Sequence, residues 1–157
     1  MNIEIKNKDA LFPIGTVAKM FNISVAAVRL YEQEGLVIPQ KSKGGHRSFT
    51  AADIQRIGCI RDLLENSGLN FAGIRLMLAA VPCWEIKPCT ISDRENCDAF
   101  HSSVVPCWLV ETKGELCKEA DCTKCSVYSE MANCSNLKMV LKKYWRTDSN
   151  DEQTQKA

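Results

Sequence analysis

The sequence predicts a mainly α-helical chain, with a compact helical head followed by a small irregular cysteine-rich module and a short C-terminal helix. Apolar residues recur at helical spacing through residues 12–81, and eight of the nine cysteines lie from Cys83 to Cys134. Composition changes abruptly near Val81, so the 157 residues read as two small units. The expected divisions are a head over 12–81, a cysteine module over 82–134, a helix over 135–146 and a tail over 147–157. The segment from Thr147 to Lys156 has no apolar residue, and this composition predicts disorder.

Each element of the head has its own signal. Ile14, Val17, Ala18 and Phe21 follow the i, i+3, i+4, i+7 pattern of an amphipathic helix, opened by Pro13 and broken at Asn22 and Ile23. Ser24 offers an N-cap for a second helix that runs to about Glu34 and closes at Gly35. Such a pair, with Ala26, Ala27, Arg29 and Tyr31 near the exposed side, matches a helix-turn-helix. Leu36-Val37-Ile38 and Arg47-Ser48-Phe49 then read as two strands bracketing the basic connection Pro39 to His46. This is a wing, from which Lys41, Lys43, His46 and Arg47 would reach a phosphate backbone.

Thr50 and Asp53 give an acceptor-plus-acid start to a third helix, whose face is Ile54, Ile57, Ile60, Leu63 and Leu64. Asn70 can cap a fourth, with Phe71, Ile74, Met77, Leu78 and Val81 at helical spacing. Cys59, far in sequence from the other thiols, reads as a buried inert residue of the third helix.

Charge separates the two halves. Residues 1–80 carry ten Lys and Arg against seven Asp and Glu, whereas residues 81–157 carry ten against twelve. The head is therefore the half suited to nucleic acid. Met1 to Leu11 lacks the basic start and apolar run of a secretory signal, and no apolar run approaches the roughly 18 residues needed to cross a bilayer. The expected compartment is the cytoplasm, where dense cysteines serve more often as ligands or redox groups than as permanent disulfides.

The order Ile14-Gly15 … Ala18, Val28-Arg29-Leu30-Tyr31-Glu32 … Gly35-Leu36, His46-Arg47-Ser48-Phe49 and Asp53-Ile54, then Gly68-Leu69 … Ile74 … Leu78, resembles the winged-helix head of MerR-type transcription regulators. The resemblance implies that Ser24, Arg29 and Tyr31 meet DNA from the recognition helix and Arg47 from the wing. It also implies a homodimer on double-stranded promoter DNA that acts on RNA polymerase indirectly, by distorting the promoter. Ala27 stands where the family usually has a polar residue, and Leu30 where it has an aromatic, so fewer side-chain donors face the bases. Pro82-Cys83-Trp84 interrupts where the family continues into a long dimerisation helix.

The module repeats Pro-Cys-Trp at Pro82 and Pro106. Its thiols are Cys83, Cys89, Cys97, Cys107, Cys117, Cys122, Cys125 and Cys134, with His101 the one nearby imidazole. A thiol-rich, imidazole-poor set favours an iron–sulfur cluster, thiolate zinc or a redox pair over hard-cation sites. Cys122-x2-Cys125 has the short loop that puts two thiolates on one metal, and it is common to zinc and iron–sulfur sites. Trp84 and Trp108 read as lids over the sulfurs. Cys83-Trp84-Glu85-Ile86-Lys87 … Cys89, Cys97, Cys107-Trp108, Cys117 and Cys122-x2-Cys125-x2-Tyr128 is similar to the small bacterial two-CW cysteine domain, over about 83–128.

Together these patterns predict a DNA-binding regulator whose module senses redox state or metal through an iron–sulfur cluster or zinc. A regulator with purely structural zinc, and a cysteine-based electron carrier or thiol oxidoreductase, are the alternatives. With two histidines, no nucleophile–base constellation and no phosphate loop, no other enzyme class is indicated. The end helix, with Leu137, Val140, Leu141 and Tyr144 on one side, can dock on the module or pair with a second copy.

Overall fold

The computed structural model describes residues 3, 5, 7, 9–101, 104–132 and 137–144. Cys134 and the tail over 147–157 lie outside these residues. The head opens with β1 (Phe12–Pro13), α1 (Ile14–Phe21) and α2 (Val25–Gln33). Asn22 ends α1 in the left-handed region, and Ser24 then caps α2 by accepting from the Ala27 amide at 3.1 Å. At the far end of α2, Gly35 has φ +68°, and the Leu36 amide reaches back to the Tyr31 carbonyl at 2.9 Å. That is the glycine-based stop expected at a helix C-terminus.

β2 (Gln40–Lys41) and β3 (Arg47–Phe49) follow, and the antiparallel sheet has the order β1-β3-β2. Two expectations are corrected. Phe12 pairs with Phe49 and makes the sheet three-stranded rather than two-stranded. Leu36-Val37-Ile38 is not a strand, because Leu36 and Val37 are fully buried plugs and the Ile38 amide donates to a side chain instead of a ladder. Strand pairing begins only at Gln40.

In α3 (Ala51–Glu65) the Thr50–Asp53 capping box closes with both reciprocal bonds. Asn70 caps α4 (Phe71–Ala79) by accepting from the Gly73 amide at 2.9 Å. The core is built from Val17, Phe21, Val28, Leu36, Phe49, Ile54, Ile57, Ile60 and Ile74. Cys59 is half-buried and disulfide-bonded rather than an inert buried thiol.

The cysteine module is a chain of short turns. It contains α5 (Cys83–Ile86), α6 (Ile91–Glu95), α7 (Asp98–His101), α8 (Glu115–Lys118), a 3₁₀ turn (Cys122–Lys124) and α9 (Ser126–Glu130). So small a segment lacks the apolar residues for a core of its own. It borrows one, because Trp108, Val127, Tyr128 and Met131 are buried in the same hydrophobic cluster as the head. α10 (Leu137–Tyr144) docks on this body through Val140, with Lys143 paired to Glu130 of α9 at 2.9 Å.

Candidate DNA interface and metal centre

The cap Ser24 and, on α2, Ala26, Arg29 and Leu30 are exposed, and Ala27 is half-exposed. Tyr31 departs from its expected exposed position. It is 7% exposed, because its ring packs edge-to-face on Phe71 with centroids 6.1 Å apart. Burial raises its pKa, which Arg61 lowers and Glu65 raises in smaller measure. The wing tip carries exposed Lys43 and His46, folded over by the Gly45 amide on the Ser42 carbonyl at 2.9 Å. Lys41 and Arg47 are not free cations. Both pair with Glu32 of α2, Lys41 at 3.3 Å, and this ties the wing to the recognition helix.

Among the described residues, Arg29 and Lys43 form no salt bridge, in contrast to Lys41 and Arg47. The sequence reading missed Glu32. Its signal was an acid one turn from Arg29 on the helix that is meant to meet an anion.

The module folds its thiols around one largely enclosed cavity of about 50 Å³. Cys83, Cys89 and Cys97 line it from the first half of the module, and Cys107, Cys117, Cys122 and Cys125 from the second. All seven are free thiols. A buried water needs roughly 10–15 Å³, so the space suits a compact group of several atoms. Lys87, Arg94 and Lys113 also line it, and the Lys113 ammonium stands 3.6 Å from the Cys122 sulfur. Trp84 and Trp108 belong to the wall, as lids would, but Trp108 is anchored outward as well.

Cys83 and Cys107, the two Pro-Cys-Trp cysteines, hydrogen-bond to each other. This bond lowers the Cys83 pKa, aided by backbone amides at the start of α5 and by Arg94. The same bond, with burial and the nearby sulfurs of Cys125 and Cys122, raises that of Cys107. Burial raises Cys117 too, with Lys87 opposing.

Among the described residues, no three Cys, His, Asp or Glu side chains converge closely enough to hold one metal ion. Four thiolates on a single zinc, each about 2.3 Å from it, would crowd to roughly 3.8 Å from one another.

The cage joins the head at the end of α2. Trp108 donates its indole N–H to the Gly35 carbonyl at 2.8 Å. The Tyr128 hydroxyl accepts from the Ile38 amide at 2.8 Å and donates to the Asp53 carboxylate at 2.7 Å. Arg56 of α3 lies over the Tyr128 ring, 4.0 Å from its centroid, and donates to the Tyr128 carbonyl. The recognition-helix stop, the wing root and the α3 cap thus all bear on the module. Arg56 went unnoticed in the sequence, although a cation one residue before Ile57 on an apolar helix face was a visible irregularity.

Residues 12–81 match a family model described as MerR HTH family regulatory protein. The head matches the MerR family. The "HTH-type transcriptional regulator GlnR" of Bacillus anthracis is 40% identical over 75 residues, covering 48% of this chain and 57% of that protein. The "HTH-type transcriptional regulator MlrA" of Escherichia coli K12 is 37% identical over 71 residues, or 45% of this chain and 29% of the relative. The "Putative heat shock protein HspR" of Streptomyces coelicolor is 27% identical over 75 residues, covering 48% of this chain and 50% of its own length. The chain thus spans little more than half of the GlnR relative, and the alignments cover less than half of this chain. No solved structure matches. Among the described residues, no helix is long and apolar enough to cross a membrane.

Proposed function

We propose that the chain is a cytoplasmic, homodimeric transcription regulator, not an enzyme, that binds promoter DNA through its MerR-type head. Its two-CW-like module senses redox state or metal through a thiolate-bound iron–sulfur cluster. The observation that carries this reading is that seven free thiols line one cavity whose wall residue Trp108 is bonded to the stop of the recognition helix. A change in the cage then reaches α2 through one side chain. Two heads at fixed spacing are needed on a two-fold operator, and the cage state would bias their relation, acting on RNA polymerase through the promoter.

Zinc is the second reading. Its usual motive is that a small module needs metal to fold, with thiolate zinc contributing on the order of 10 kcal/mol. That motive is weaker here because the module shares the head's core. Among the described residues no three donors converge on one ion, which also favours a cluster over single zinc.

The test is to purify the chain without oxygen and measure iron, zinc and acid-labile sulfide with the visible spectrum. Iron with sulfide, and absorbance bleached by reductant, is expected. Zinc alone in a colourless protein would replace the redox reading with the structural one.

A further inference from the structure

The exposed side of α4 opens onto an apolar groove lined by Gly73, Leu76 and Met77, by the C-cap Ala80, and by Trp84 and Phe100 of the module. Leu76 and Phe100 are 50% and 38% exposed there, and among the described residues no charged side chain lines the groove. Such a face suits a protein partner, because nucleic acid would call for cations. The charged residue of α4 is Arg75, which pairs with Glu34 at the end of α2. Gly73 is an independent sign. It lies within α4 and lacks the positive φ that would favour glycine, so alanine would suit the helix better. A Cβ added there would meet only Leu69, from 3.4 Å, and the Asn70 cap oxygen at 3.5 Å. Its own chain gives no reason for a glycine, whereas the close approach of a second backbone does. Trp84 and Phe100, edge-to-face with centroids 5.1 Å apart, line the thiol cavity as well, so the groove and the cage share a wall.

We propose that this groove is the dimer face of the chain, and that a second copy packs its α4 antiparallel on this one about a two-fold axis at Leu76. This rests on the homodimeric reading above and names the surface that makes the dimer. The occupant follows from the pattern of the face. In a two-fold contact each patch meets its own copy, so every charge on it is set near a like charge, and a face without charge avoids that cost. Leu76 projects between Gly73, three residues before it, and Ala80, four after it, on one side of the helix. Across the axis the projecting Leu76 of one copy fits the hollow beside the small residues of the other, and Gly73 lets the two helices come close. The end helix α10 lacks this pattern. Its exposed Met139 is flanked by exposed Lys138, Lys142 and Lys143, which would meet their own copies.

The experiment measures the dimer dissociation constant of the full chain, purified without oxygen, by sedimentation velocity over a range of concentrations. Wild type, Leu76→Glu, Gly73→Ala and Met139→Glu are compared, and urea unfolding at low concentration gives the stability of each monomer. Leu76→Glu sets a carboxylate from each copy at the axis and is expected to weaken the dimer on the order of 100-fold or more, with the monomer little changed. Gly73→Ala is expected to stabilise the monomer and still weaken the dimer, a pair of opposite effects that packing within one chain does not produce. Met139→Glu should leave the dimer as it is. A dimer untouched by Leu76→Glu and Gly73→Ala would overturn the assignment while the homodimeric reading stands, and its loss in Met139→Glu would move the contact to α10. A wild type that stays monomeric throughout would remove the homodimeric reading itself, and this inference with it.

Discussion

The indole of Trp108 and the carbonyl of Gly35, 73 residues apart, meet in a 2.8 Å hydrogen bond that fixes the cysteine module to the end of the recognition helix. Trp108→Phe removes the donor, keeps most of the ring and leaves a buried acceptor unpaired. A stability loss of about 1–3 kcal/mol is expected, read from urea unfolding. Trp84→Phe is the control, since Trp84 is half-buried and packs on Phe100; its effect should be smaller.

Gly35 also faces Leu109, which stands 2.3 Å from where an alanine Cβ would sit. Gly35→Ala therefore carries a clash and a left-handed backbone penalty of roughly 1–2 kcal/mol. Leu109→Ala in the same chain should relieve the clash and leave the backbone term. Full recovery in the double variant would show that the positive φ costs nothing here.

Glu32 neutralises two wing cations, so Glu32→Gln should strengthen DNA binding and steepen its dependence on salt. Arg29→Ala and Lys43→Ala should each flatten the plot of log affinity against log salt by about one unit. Fluorescence anisotropy on a duplex selected by the wild-type chain would measure all three. An unchanged slope for Arg29→Ala would remove it from the interface.

Asp93 clips the two halves of the module together. It accepts from the Thr90 hydroxyl at 2.7 Å and the Thr90 amide at 2.9 Å, and from the Leu116 amide at 3.3 Å. The bond from the Thr90 hydroxyl is the largest cause holding its pKa below the usual carboxylate range. A depressed folded value means that this contribution is present at neutral pH and lost as pH falls through that value. Thr90→Ala should move the Asp93 titration upward in a carboxylate NMR experiment. No movement would assign the shift to the amides alone.

Much of the head was readable because its signals are local. Ser24, Thr50 with Asp53, Asn70 and Gly35 each act within a few residues, and each takes its expected capping or stopping place. Leu36-Val37-Ile38 misled because three apolar residues in a row fit a buried plug as well as a strand. Tyr31 was misplaced, and Glu32 missed, for another reason. Their partners, Phe71 and Arg47, come from elements whose approach no local pattern encodes. At the cage, cysteine spacing announced a thiol site, and the seven described cysteines of the module do share a cavity. The pairing of Cys83 with Cys107 and the reach of Arg56 from α3 depend on how the module docks, which the spacing does not express.

The central claim, that the cage speaks to the DNA-reading head, is tested most directly by one comparison. The affinity of the full chain for a selected duplex would be measured anaerobically with the cage reconstituted by iron and sulfide, and again after chelation. A clear difference in affinity between the two states, lost in Cys122→Ser and Cys125→Ser, is the result expected. Equal affinity in both states, with iron and sulfide shown to be bound in the first, would contradict the account.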